Sequence, residues 1–285
     1  MITISQALHQ SVETLEIISD TPNLDAQILL ASTLEKPRAW IISHPEYKLS
    51  PTEVSLYQAG IKSLVQGKPL PYIIGKWEFF GLDFFVTPDT LIPRPETELV
   101  VELALESVDL YENHRLAADI GTGSGCIAIA LAKNSPELSI IASDISLAAL
   151  NIARKNAVLH GVDDRIYFLQ SDLFSALSIQ FDIICANLPY IPSKTLPTLN
   201  IYGREPGKAL NGGLDGLDQI SQLLASAPDR IKPGATLLIE IDSSQGKQVQ
   251  SLAKTHFPSA SISLHKDLAQ HDRIVKIQLP YQQKD

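Results

Sequence analysis

Between a short apolar segment, LAADI (116–120), and an alanine-rich one, CIAIALAKN, stand Gly121-Thr122-Gly123-Ser124-Gly125, with Asp119 two residues ahead of them. Glycines let backbone approach a ligand closely, and the carboxyl end of a parallel strand is where open α/β sheets bind ligands. A phosphate loop of the G-x-x-x-x-G-K-[ST] type needs a lysine that is missing here. A dinucleotide fingerprint needs its third glycine where Cys126 stands, so its pyrophosphate seat is compromised. The spacing suits a nucleoside carrying an amino-acid tail instead. Asp119 can meet an ammonium, and glycine backbone can surround the tail and ribose. Asp144 lies 23 residues after Gly121, at the end of the next apolar run, where an acid would hold two ribose hydroxyls. Asp172 ends the run after that, where an adenine amino group would lie. Together these predict S-adenosylmethionine; the plainer alternative is a tight turn with acids that cap helices.

A second constellation, Asn187-Leu188-Pro189-Tyr190, ends the segment FDIICAN. A carboxamide or exocyclic –NH2 is a poor nucleophile because its lone pair is delocalised. If the Asn187 side-chain oxygen and the Leu188 carbonyl accept its two hydrogens, the nitrogen is held with its lone pair facing a sulfonium methyl group. Tyr190 can pack against a planar acceptor. Such a site needs no metal and no nucleophilic side chain. An Asn-x-Pro turn leaving a strand is the structural alternative.

These residues need a scaffold that brings them to one edge. From Leu116 onward short apolar runs alternate with helical ones, the pattern of a parallel sheet. The strands read as 116–120, 139–144, 165–170, 181–187 and 235–241, with helices near 125–134, 146–159, 216–230 and 245–256. SISLHK (261–266) and RIVKIQL (273–279), joined by a short turn, predict an antiparallel hairpin on the sheet edge. Ahead of this lie a bundle of four or five short helices over residues 1–70, a β-hairpin linker over 71–92, and a helix from Glu96 to about Ser107. The catalytic domain is expected over 93–285.

The 285 residues carry a net charge of −9, 45% hydrophobic and 19% charged side chains. That composition excludes a disordered or fibrous chain. The acidic balance argues against broad phosphate-backbone binding, so direct nucleic-acid contact is not expected. No run reaches the roughly 18 apolar residues of a membrane span, and the start lacks a basic region followed by an apolar one. A cytoplasmic monomer is expected. Cys126 and Cys185 lie in apolar segments as free thiols, and the scattered histidines predict no metal site.

LIPRPETE (91–98), PYIIGKWEFFGLDFFV (71–86), ADIGTGSGCIAIALA (118–132), NLPY and EPGKALNGGLDGLD (205–218) resemble the peptide chain release factor glutamine methyltransferases, the HemK-like family. The resemblance covers nearly the whole chain. It implies a class I, Rossmann-like methyltransferase with a mostly parallel seven-stranded sheet and an N-terminal helical domain, which is expected to recognise the partner, the alternative being a bundle that only stabilises the catalytic domain. It implies transfer of a methyl group from S-adenosylmethionine to the glutamine nitrogen of a release factor's Gly-Gly-Gln loop, leaving S-adenosylhomocysteine. By this resemblance Gly121 to Gly125, Asp144, Asp172 and Asn187 contact the cofactor, Asn187 to Tyr190 the glutamine, and Arg94 to Glu98 wall the site. The chain departs from the family at Leu188, where Asn-Pro-Pro-Tyr is usual, and at Asp242 and Gln270, where glycine is customary. Asn-Leu-Pro-Tyr also occurs in ribosomal RNA adenine dimethyltransferases, so an N6-adenine methyltransferase acting on DNA or RNA is the alternative reading.

Overall fold

A computed structural model describes residues 2–109 and 115–281, which divide into two compact units, Met1–Lys76 and Trp77–Asp285. The first holds five helices, within the four or five expected: α1 (Ile4–Leu15), α2 (Pro22–Leu34), α3 (Arg38–Ser43), α4 (Pro51–Val65) and α5 (Leu70–Ile74). Capping boxes open α1 and α4. The Thr3 side chain accepts from the Gln6 N–H while Gln6 takes the Thr3 N–H, and Ser50 and Glu53 do the same. Ile4, Leu15, Leu30, Ile41, Leu49 and Tyr57 fill the bundle's own core.

The hairpin begins later than expected. Pro71–Ile74 is helical, closed by Gly75 in a left-handed conformation, and only β1 (Lys76–Phe79) and β2 (Leu82–Phe85) are strands. It is also not a free linker. Phe79 and Phe84 are buried in the core of the second unit, because two large aromatic faces find there the apolar cover that a lone two-stranded ribbon lacks.

The second unit runs α6 (Glu98–Asp109), β3 (Arg115–Ile120), α7 (Cys126–Asn134), β4 (Leu138–Asp144), α8 (Leu147–His160), β5 (Ile166–Gln170), β6 (Phe181–Ala186), α9 (Asp218–Ser226), β7 (Ile231–Glu240), α10 (Gly246–His256), β8 (Ser261–Lys266) and β9 (Asp272–Gln278). The strands form one sheet in the order β5-β4-β3-β6-β7-β9-β8. β9 is antiparallel to both neighbours and the other pairings are parallel. β7 starts before the expected Ala235, because a register irregularity lets it continue through Pro233 and Gly234.

Alternation along the central strands divides the apolar residues between two cores. Ala117, Ile183, Cys185 and Leu238 face the side covered by α6 and α7, and Ala118, Ile184, Ala186 and Leu237 face that covered by α9 and α10. The chain leaves β3 toward β4 on one side and returns to β6 on the other. Strand order therefore reverses at β3, and the carboxyl ends of β3 and β6 flank the crevice where such sheets take ligands. Among the described residues no helix is long and apolar enough to cross a membrane, and no side-chain cluster could hold a metal ion.

Candidate active site

At that crevice lies a cavity of about 620 Å³. Gly121, Thr122, Gly123 and Ser124 line it from β3, Asp144 from β4, Asp172 from beyond β5, and Asn187, Leu188 and Pro189 from beyond β6. The size falls within the range of small-molecule and cofactor sites, roughly 300–1,000 Å³. Asp119, Gly125 and Tyr190 do not line it.

The loop's shape explains its glycines. Gly121 has φ +78°, and a Cβ there would come within 3.0 Å of Leu188 Cδ2. Gly125 has φ +83°, and a Cβ would press against Ile129 and Ala153 at 3.0 and 3.1 Å. The first glycine thus admits the buried Leu188 side chain, and the third lets α7 pack closely on α8.

Asp119 is fully buried below the loop. Its Oδ2 accepts from the Thr122 hydroxyl at 2.6 Å and the Ala128 N–H at 3.2 Å, so it braces the loop against the first turn of α7 instead of facing the cavity. Burial pushes its carboxyl up to about 6. Its Oδ1 has no hydrogen-bond partner. Asp144 does face the cavity. Its Oδ2 accepts from the Gly123 N–H at 2.9 Å and its Oδ1 from the Ser146 N–H at 2.8 Å, which fixes the carboxylate and leaves each oxygen a free lone pair. Burial raises its pKa, opposed by the backbone N–H groups of Ser146, Gly123 and Ile145. Asp172 is exposed at the cavity edge. Burial pushes the Cys126 thiol up to about 12, which removes it as a nucleophile.

Asn187 Nδ2 donates to Thr97 Oγ1 at 3.1 Å, which leaves its Oδ1 free. The Leu188 carbonyl takes no hydrogen bond from the described residues. Tyr190 differs from expectation. Its ring packs on the core beneath the sheet and its hydroxyl donates to Glu240 Oε1 at 3.4 Å, because a buried phenol needs a polar partner. Of the Arg94 to Glu98 segment, Arg94 and Thr97 line the cavity, while Glu98 turns away to accept the Phe80 N–H. Arg94 pairs with the buried Glu205, which also takes the Ile92 N–H, so two loops are tied into one wall.

Residues 6–75 match the PrmC N-terminal domain family and residues 97–199 the methyltransferase small domain family. The chain is 40% identical over 277 residues to a Moorella thermoacetica release factor glutamine methyltransferase, covering 95% of this chain and 97% of the relative. The chain belongs to the release factor glutamine methyltransferase family. A Coxiella burnetii relative of the same name is 38% identical over 253 residues, covering 88% of this chain and 90% of the relative. A T. thermophilus 16S rRNA methyltransferase, solved with AdoMet and guanosine, shares the fold. Its TM-score is 0.53 at 17% identity, over 72% of this chain and 49% of that one.

Two polar residues escaped the reading of the sequence. Glu240 is buried at the end of β7, and its signal was a charge within the apolar run LLIEI. Gln245, also buried, donates Nε2 to the Tyr190 carbonyl at 3.0 Å and the Gly216 carbonyl at 3.2 Å while accepting the Asp242 N–H, so it holds the tetrapeptide from below. Two departures from the family pattern are accommodated locally. Asp242 caps its own turn by accepting from the Ser244 N–H and hydroxyl, and Gln270 adopts the left-handed φ of +65° that glycine would take more easily.

Proposed function

We propose that this chain transfers a methyl group from S-adenosylmethionine to the side-chain nitrogen, N5, of the glutamine in the Gly-Gly-Gln motif of peptide chain release factors. One observation carries the reading. The glycine loop and the Asn187-Leu188-Pro189 acceptor segment open into the same cavity, in a chain whose relatives, named for this reaction, match it over nearly its full length.

The fit to the cofactor rests on chemistry present in the cavity. Asp144, with both oxygens anchored and a lone pair left on each, suits two ribose hydroxyls. The left-handed glycines allow backbone to close on the amino-acid tail, and Asp172 suits the adenine amino group. When bound, S-adenosylmethionine supplies a methyl group on a cationic sulfur that leaves as a neutral thioether. The protein's part is positioning. Asn187 Oδ1 and the Leu188 carbonyl accept the two amide hydrogens, which fixes the nitrogen and turns its lone pair toward the cofactor side. The Arg94–Glu205 pair ties together the two loops that wall that end of the cavity. The N-terminal unit recognises the protein substrate.

The test is peptide mass spectrometry of a purified release factor incubated with the enzyme and S-adenosylmethionine, with an adenine-containing RNA in parallel. One methyl on the Gly-Gly-Gln glutamine and none on the RNA is expected. Asn187→Ala should lose transfer by about 100-fold, since misplacement alone can cost that much, with a far smaller change in cofactor affinity. Methylation of the RNA alone would overturn the acceptor.

A further inference from the structure

We infer that Gln245 is a positioning residue that sets where the Leu188 carbonyl meets the acceptor amide, acting through the Tyr190 carbonyl. The inference deepens the reading of the acceptor segment above and rests on it. Gln245 stands in the turn between β7 and α10, is 4% exposed and does not line the cavity. Its Nε2 carries two hydrogens and meets two carbonyls, Tyr190 at 3.0 Å and Gly216 at 3.2 Å. Its Oε1 accepts the Asp242 N–H at 3.1 Å, and its own main-chain N–H returns to the Asp242 carbonyl at 2.9 Å. These partners fix the direction of the amide, because an N–H at Asp242 needs the oxygen end and the two carbonyls need the –NH2 end. One buried side chain thus joins the segments that leave β6, enter α9 and leave β7.

The neighbouring glycines leave room for this brace. A Cβ on Gly216, whose φ is +83°, would lie 2.2 Å from the Tyr190 oxygen and 2.7 Å from Gln245 Nε2. A Cβ on Gly212 would lie 2.6 Å from the Pro189 oxygen and 2.7 Å from Tyr190 Cα. Just beyond, the Ile191 N–H donates to the Leu210 carbonyl at 3.0 Å and the Ile191 carbonyl accepts from the Gly212 N–H at 2.9 Å. The main chain is therefore gripped from Tyr190 onward. Between that grip and the Leu188 carbonyl stands Pro189, whose ring locks its φ at about −65° and confines the preceding residue to extended conformations. Few torsions remain through which the Leu188 carbonyl can drift once Tyr190 is held. That carbonyl receives no hydrogen bond of its own from the described residues, so its direction is set by the chain on either side of it. Its place matters because the acceptor nitrogen is fixed only when both of its hydrogens are received.

The test compares Gln245→Met, which keeps the length and removes both polar ends, with the unaltered full-length protein. Three readouts are taken on the same samples: the 13C resonance of the Tyr190 carbonyl, S-adenosylmethionine affinity, and kcat and KM for methylation of a release factor. The Tyr190 resonance should move as its hydrogen bond is lost and kcat should fall by about 100-fold, while cofactor affinity changes little. Gly216→Ala reaches the same carbonyl without altering Gln245 and should reproduce the loss. Because both act on one carbonyl, the double variant should lose no more than the worse single one, whereas independent defects would multiply. A full kcat in a Gln245→Met protein whose Tyr190 resonance has moved would overturn the inference. So would multiplied losses in the double variant, or cofactor affinity lost in step with kcat. Should the unaltered enzyme methylate adenine in the RNA and leave the glutamine untouched, the proposed acceptor falls, and the same comparison on the RNA decides the role of Gln245.

Discussion

Asp119 and Glu240 are carboxyl groups that burial drives up, to about 6 and about 7. In the unfolded chain such groups titrate near 4. Below that value both states are protonated and burial carries no ionisation penalty. Between about pH 4 and 7 the folded protein binds more protons than the unfolded one, so these two groups make stability fall as pH rises, with the full penalty present above their folded values. A tenfold difference in proton affinity between the two states corresponds to about 1.4 kcal/mol, so Glu240 alone accounts for about 3–4 kcal/mol of lost stability at alkaline pH. Glu240→Gln keeps the shape without the titration. Its stability relative to the unaltered protein should therefore improve by about 2 kcal/mol between pH 5 and pH 8, read by urea unfolding at the two values. An unchanged difference would mean that Glu240 is not held neutral by burial. Glu53, lowered by its helix-cap bonds to Ser50, acts in the opposite sense, its contribution being lost as pH falls through its lowered value.

Among the elements, the tie between the hairpin, α8 and the glycine loop runs through one buried side chain. Asn156 Oδ1 accepts the Phe85 N–H at 2.8 Å, and its Nδ2 donates to the Phe85 carbonyl at 3.0 Å and the Ser124 carbonyl at 2.8 Å. Asn156→Ala leaves three backbone groups without their partner, at a cost of roughly 3 kcal/mol in thermal or denaturant unfolding. Because one of the three belongs to the loop beside the cavity, cofactor affinity should fall as well; stability lost with affinity intact would show that the loop holds its shape unaided. This tie also marks the limit of what the sequence disclosed. The strands, Gly121 to Gly125, Asp144 and Asn187 were legible because period-two apolar runs and left-handed turns are local properties. The destination of Asn156, Tyr190 or Glu240 depends on which strands become neighbours, so Tyr190 was expected against the acceptor and Glu240 was passed over. The hairpin was misplaced by five residues for a related reason: apolar aromatic composition over 71–86 does not distinguish a short helix ending at Gly75 from a strand.

At the scale of the whole molecule, each unit has a core of its own, so the bundle need not exist to complete the sheet. Its surface carries a feature that water disfavours. Ile17 and Ile18, side by side in the turn after α1, are 88% and 47% exposed, and Leu24 at the start of α2 is also exposed. Covering such a cluster with a protein partner recovers roughly 25 cal/mol for each Å² of apolar surface. The proposed recognition role of the bundle therefore predicts a separation of kinetic constants. The double substitution Ile17→Asp and Ile18→Asp should raise KM for an intact release factor by about tenfold, the equivalent of about 1.4 kcal/mol of binding. It should leave kcat, cofactor affinity and KM for a short Gly-Gly-Gln peptide as they were, since a peptide reaches only the cavity. A parallel rise for the peptide would place the effect in the catalytic unit, and no rise for either substrate would remove this turn from the recognition surface.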